Sequence, residues 1–413
     1  MIEQSKRRVV ITGLGVVAPN GVGKEAFWQA ISQGIGSIAP IQRFDTTDLP
    51  IQVAGEVTNF AAEEFFDRKL VNRTDRVTHF ALAAMQEALT DAGLALTEEN
   101  PRRVGAVMAC TWGGVEFATR ETEVVYVRGP RAMSAYSAIA WLQVANVGQA
   151  SIRYGFQGYC KTPVNDTVGG LDALCIAAGA VRRGAADVIL TGGCEAPLYP
   201  LMLAMLAQKG YIAKGSDSRA YRPFDRRVAG MAVAEGAGVC ILEEYEHARQ
   251  RGAVIYGEII GYGQSNDAHG LGAPSASGRQ YARAMSLAMQ PEQVSPKEVG
   301  YFSLDGHAVQ QSDQGEAEAL RLTFGDNVHG LPVSVPRTMM GHSYAAAGAW
   351  DAIAALLALQ HGLVPPTINC DEPDPRYGLD LVRDEARPFV EPVVLLGGRA
   401  AGGANVVVAL RKF

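Results

Sequence analysis

Three short stretches set reactive side chains beside glycines: PVNDTVGGLDAL carries Thr167, DGHAVQQSD carries His307, and PRTMMGHSYAAAG carries Arg337 and His342. The first reads as a strand ending in a tight turn that delivers Thr167 to the mouth of an apolar helix running through Cys175, Ile176 and Ala177 to Arg183. Unpaired N–H groups and a partial positive charge at such a helix start suit a thiolate or an oxyanion. A thiol there ionises near neutral pH, whereas a hydroxyl needs a dedicated base to take its proton. Position 167 therefore has the shape of a nucleophile elbow without a good nucleophile. A lone histidine is more often a satisfied core residue than a catalyst. Two of them, each after a glycine and a strand-like run, bring acid–base chemistry level with that structural reading.

Arg8 to Thr12 is a short β-rich run, followed by GLGVVAPNGVG. Gly13, Gly15 and Ala18 have dinucleotide-fingerprint spacing, but Pro19, Asn20 and Gly21 interrupt the place where a phosphate-binding helix would start, and no acidic residue follows ~20 positions on to hold a ribose. A nicotinamide cofactor is excluded on that context. Asp75 to Ala92 has apolar residues at helical spacing, closed by Gly93, and Arg103 to Cys110 reads as a buried strand. Beyond Gly113 and Gly114, residues Val115, Ala118, Thr119 and Thr122 share one small helical face, with Trp112, Phe117 and Tyr126 beside it. Such a face either packs on another helix or lines a cavity.

A faint internal repeat organises the chain. Gly169 to Gly193 is a Gly-opened apolar helix, a short loop and a buried strand ending in paired glycines; Ala346 to Gly362 and Pro392 to Gly398 repeat that helix and strand, and Val9 to Gly15 and Tyr256 to Gly263 repeat a strand-like start. Two similar α/β halves with mostly parallel sheets between helical layers follow, with a boundary near Gly252. With 48% apolar and 19% charged residues, the 413-residue chain can bury a large core. The net charge is −6 and no Lys/Arg run marks a nucleic-acid face. Six cysteines without a CxxC pair read as buried thiols in a reducing compartment, and no run approaches the ~18 uncharged residues of a membrane span, so a cytoplasmic protein is expected.

VVITGLGVVAPNG, GGLDAL, RRGAADVILTGGCEA, YRPFDRRVAGMAVAEGAGVCILE, the two histidine loops and the terminal GGAN together resemble the β-ketoacyl-acyl-carrier-protein synthases along nearly the whole chain. The resemblance implies the thiolase fold, two pseudo-symmetric halves (1–251 with the elbow, 252–413 with the histidine loops) in a five-layer αβαβα sandwich. In active members of that family the elbow residue is a cysteine that takes the acyl chain, and the two histidines assist malonyl decarboxylation. No metal or cofactor is implied.

Against that pattern Thr167 replaces the cysteine, Asp166 stands beside it, and Ala308, Val309, Gln310 and Gln311 replace the residues that usually follow the first histidine. Arg337 replaces a lysine, and Arg399 and Ala401 stand where two gating phenylalanines are usual. The combination most resembles the chain-length factor, or ketosynthase β subunit, of bacterial type II polyketide synthases. That likeness implies a heterodimer with an active ketosynthase α subunit, an acyl carrier protein as second partner, and a substrate tunnel bordered by Trp112, Val115, Ala118, Thr119 and Thr122. Two other outcomes are weighed: a malonyl-carrier-protein decarboxylase using His307 and His342, and a condensing enzyme with Thr167 as acyl acceptor.

Overall fold

Asp75 opens α1 (Arg76–Asp91): its carboxylate accepts the Val77 N–H at 2.9 Å, and Gly93 takes a positive φ just past the end. The face from Val77 to Leu89 is buried on the strand β1 (Val9–Ala18). That strand runs straight through the glycines at 13 and 15, beyond the Arg8 to Thr12 run read from sequence. A Cβ at Gly13 or Gly15 would collide with the carbonyls of Ala88 and Ala84. These glycines let a helix lie close on a sheet and belong to no phosphate loop. The computed structural model describes residues 7–413.

The remaining principal strands are β2 (Val104–Ala109), β3 (Cys160–Lys161), β4 (Val188–Glu195), β5 (Gly236–Glu244), β6 (Gly257–Asn266), β7 (Val299–Ser303), β8 (Pro332–Ser334), β9 (Val393–Arg399) and β10 (Ala404–Arg411). From the centre outward one half of the sheet runs β1, β5, β4, β2, β3 and the other β6, β10, β9, β7, β8, so the first five strands and the last five follow the same order. The halves meet where Val10 and Ile11 pair with Glu258 and Gly257. The expected mostly parallel sheets are in fact mixed. In each half the two inner ladders are antiparallel and the two outer ones parallel. The cause is that the last strand of each half enters between the first and the fourth, opposite in direction to both.

Five further helices matter here: α2 (Val115–Arg128), α3 (Gly169–Arg182), α4 (Arg279–Met289), α5 (Gln310–Phe324) and α6 (Ala345–His361). Helices α3 and α6 form a shared middle layer in one apolar cluster with both sheet halves, whereas α1 covers the outside of one half and α4 with α5 the outside of the other. The five-layer αβαβα arrangement expected from sequence is therefore observed. All six cysteines are free, five of them buried. Among the described residues no helix is long and apolar enough to cross a membrane.

The middle layer tolerates no added bulk, since a Cβ at Gly193 would strike the Ala345 carbonyl where α6 starts. Gly193→Ala is expected to cost about 1–3 kcal/mol or more by overpacking. Gly148→Ala, in the helix Ala145–Tyr154 where a Cβ meets nothing within 4 Å, should be neutral or stabilise by roughly 0.5–1 kcal/mol. Urea unfolding midpoints of the two variants check the contrast.

Candidate functional site

Thr167 lies in the tight turn Asp166–Val168 that leads into α3, and it is 1% exposed. Its hydroxyl donates to the carbonyl of Arg399, the last residue of β9, at 3.0 Å. The N–H of Arg399 in turn donates to Asp305 Oδ2 at 2.9 Å. Asp305 and His307 follow β7, and Arg337 and His342 precede α6, so the equivalent ends of the two halves converge on one buried cluster. The structure thus brings together all four residues singled out in the sequence, Thr167, His307, Arg337 and His342.

Arg337 is fully buried and dominates the cluster. Its Nη1 donates to Asp305 Oδ1 at 2.6 Å and stands 2.8 Å from His342 Nε2, while Nη2 donates to Asp351. A guanidinium keeps its proton at any working pH, so burial here demands anionic partners. Asp305 supplies one. Burial opposes its charge, but the neighbouring His307 and Arg337 hold its carboxyl well below the usual range. Burial pushes Asp351 up to about 6 against the pull of Arg337.

The histidines are accordingly engaged. His307 Nε2 lies 2.8 Å from Asp305 Oδ2, misaligned for a hydrogen bond but close enough for charge attraction; burial disfavours the imidazolium, yet Asp305 raises its pKa overall. Burial first, and then the positive charge of Arg337, lower His342 to about 3, so that ring is neutral. The Tyr344 N–H faces its Nδ1 at 3.1 Å and the guanidinium faces its Nε2. If Nε2 carries the proton it points at another donor, and if it does not it has no proton to give. In either tautomer it is not placed to donate to a thioester carbonyl.

The ligand atoms of Asp305, His307 and His342 lie within 4.8 Å of one another, the one such group among the described residues. Arg337 already fills the cationic role there. A divalent ion on the same oxygen and nitrogen would be pressed against the guanidinium.

Arg399, expected in a gate, has its side chain fixed. It donates to Ser312 O at 2.9 Å and Ser275 O at 2.6 Å, meets Asn405 Oδ1 at 3.3 Å and Asp267 Oδ2 at 3.4 Å, and lies 5.4 Å from the Tyr281 ring centre. Ala401 N donates to Asp166 Oδ2 at 3.2 Å. On α2 the buried side chains are Phe117 and Glu121. Val115, Ala118 and Thr119 are half-buried and Thr122 is exposed; Val115 packs against the apolar cluster that holds Met202, Leu203 and Leu206, and the face opens toward solvent at Thr122. The hydroxyls of Thr119 and Thr122 turn back onto the carbonyls of Val115 and Ala118, each at 2.8 Å. Trp112 sits just before α2 with its ring edge on Tyr344, 5.5 Å between centres.

Sequence reasoning missed Asp351, Tyr211 and Tyr344. Tyr211 lies over the His307 ring at 6.4 Å and Tyr344 meets His342 at 6.0 Å. A signal for Asp351 was available: it is the one charge in the apolar run Ala346 to Leu359, and a lone buried carboxylate needs a buried cation.

The profile of the β-ketoacyl synthase N-terminal domain matches residues 6–248 and that of the C-terminal domain residues 256–371. The chain belongs to the β-ketoacyl synthase family. Within it, the tetracenomycin polyketide synthase ketoacyl synthase beta subunit of Streptomyces glaucescens is 39% identical over 407 residues, 98% of each chain. Two solved structures superpose closely. The ishigamide ketosynthase/chain length factor matches with TM-score 0.92 at 30% identity, covering 99% of this chain and 100% of the other. A type II polyketide synthase acyl carrier protein in complex with its hexaketide-bound ketosynthase matches with TM-score 0.90 at 31% identity, again covering 99% and 100%.

Removing the central cation of this synthase-family site leaves Asp305 and Asp351 buried without their partner. Arg337→Ala is expected to destabilise the chain by roughly 3–5 kcal/mol. A denaturant titration that finds the variant as stable as the parent would contradict the assigned ion-pair geometry.

Proposed function

We propose that this chain is a non-condensing subunit that pairs in the cytoplasm with an active ketosynthase and sets how many units that partner adds to a carrier-bound polyketide or polyene chain. The observation that carries this reading is the state of the elbow. Its side chain is a hydroxyl already donating to the Arg399 carbonyl, and Arg337 engages Asp305 and His342, two groups beside it. The elbow hydroxyl is committed to a carbonyl, which disfavours the Thr167 condensing enzyme, and with His342 facing the guanidinium the histidine pair a decarboxylase would use is reduced to His307 alone.

The relatives lend the positive half of the reading. One is a ketoacyl synthase beta subunit, one a ketosynthase/chain length factor, and one a ketosynthase bound to its carrier protein. A subunit that works beside a partner should carry an uncovered apolar surface when alone. Tyr126 and Val127 at the end of α2 are 86% and 82% exposed, and Ile139, Trp141 and Val144 are exposed shortly after. The small, partly open face of Val115, Ala118, Thr119 and Thr122 lies on the same helix. We assign it to the channel wall, with residues 1–251 and 252–413 as the two halves that frame it.

Co-expression with the active ketosynthase, and product analysis by mass spectrometry, tests the assignment. Ala118→Trp should leave the pair intact and shift the products to shorter chains. An unchanged length distribution from an intact pair refutes the channel-wall role, and elongation by this chain in the absence of a partner refutes the non-condensing reading.

A further inference from the structure

Lys209 stands in an unusual setting. Its ammonium lies 5.1 Å from the Trp112 ring centre, 5.3 Å from Tyr211 and 5.7 Å from Tyr344, and 4.0 Å from Asp166 Oδ1. The three rings belong to three separate segments, and each is held in place by its own support. Tyr211 is fixed because its carbonyl accepts the Met231 N–H at 2.9 Å, Trp112 because its N–H reaches the buried Glu195, and Tyr344 because its N–H meets His342. Two of the rings continue inward to the reactive cluster, Tyr211 over His307 and Tyr344 beside His342. Asp166, the anion that steadies the ammonium, is the immediate neighbour of Thr167 and also holds the Ala401 N–H.

Exposure falls steadily along this line. The Lys209 side chain is 31% exposed, Tyr211 9%, His307 4%, and Thr167, His342 and Tyr344 1% or less. Beyond the half-exposed rim of Lys209, Asp166 and Trp112 the side chains are buried. The indole N–H of Trp112 is buried without an aligned partner, and the buried hydroxyls of Tyr211 and Tyr344 have only each other. A wall of rings with an unmet N–H is a surface that an oxygen-bearing chain or a carrier's arm could enter if the lysine were elsewhere.

We propose that Lys209 is a specificity-determining plug. Its stem and ammonium cover the surface end of the ring-lined approach to Thr167, His307 and His342, and so deny a carrier-bound acyl chain a second, barren place to lodge. A cation suits the task because it binds three π-faces and one carboxylate at once without filling the space with a rigid side chain. The inference concerns access within this chain and stands whether or not the chain sets product length.

A reporter thiol at the elbow reads access directly. In the co-expressed pair, T167C is treated with iodoacetamide and modification of the peptide containing position 167 is followed by mass spectrometry, with the buried Cys240 as internal control for global unfolding. With Lys209 in place, labelling should be on the order of 100-fold slower than for the same protein in urea, since a thiol reacts only as fast as it is reached. Adding K209A should accelerate labelling at position 167 by roughly 10-fold or more, with Cys240 unchanged. Y211A opens the same wall from a different segment and should act in the same direction, so the loss of one variant to misfolding leaves the other decisive. Labelling of T167C at the urea rate with Lys209 present overturns the proposal. So does a folded K209A or Y211A variant that labels no faster, or an acceleration that Cys240 shares.

Discussion

A guanidinium with no access to water governs this site. Arg337 has to be matched by carboxylates, and the fold supplies them from two elements of its C-terminal half: Asp305 after β7 and Asp351 inside α6. Because Asp305 also takes the Arg399 N–H, the ion pair ties β7, β9 and α6 together at the point where the elbow of the N-terminal half arrives. Breaking it would leave charge stranded in a low-dielectric interior, so the arrangement is hard to revert one residue at a time. The same guanidinium also engages His342. Its ring is tied into the internal scaffold by the guanidinium on one side and the Tyr344 N–H on the other.

The duplication explains how the site is assembled. The equivalent strand orders of the two halves bring the turn before α3 and the turn before α6 face to face across the middle layer, and that layer is held by close backbone approach at glycines such as Gly170 and Gly193. Those packing demands are independent of whether position 167 is sulfur or oxygen. Backbone conformation persists too. Asp166, Ala308 and Tyr344 all keep positive φ around the cluster, at 45°, 53° and 41°, conformations that cost a non-glycine residue on the order of 1–3 kcal/mol and are retained only where the surroundings over-determine them.

Much of this was legible from the sequence. The helix of α1, the buried strand β2, the paired helix–strand repeat and the convergence of Thr167, His307, Arg337 and His342 follow from periodicity, glycine placement and motif spacing, because these depend on local rules. The direction of the sheet ladders did not follow: near-continuous apolar runs look alike in parallel and antiparallel strands buried on both faces. Nor did the extent of β1, whose glycines are explained only by a helix packed across them. Charges were the hardest to read. The pairing of Arg337 with Asp351 needs a contact across 14 positions that wraps a turn into a helix, and the rings of Tyr211 and Tyr344 come from segments that nothing in their local sequence links to the histidines.

The central claim is that this polypeptide shapes a condensation without holding the growing chain. Intact-mass measurement of both subunits of the co-expressed pair, quenched during turnover with malonyl-loaded carrier protein, addresses it most directly. The account predicts acyl mass on the partner ketosynthase and none on this chain at any time point. An acyl ester mapped to the peptide containing Thr167 would contradict it.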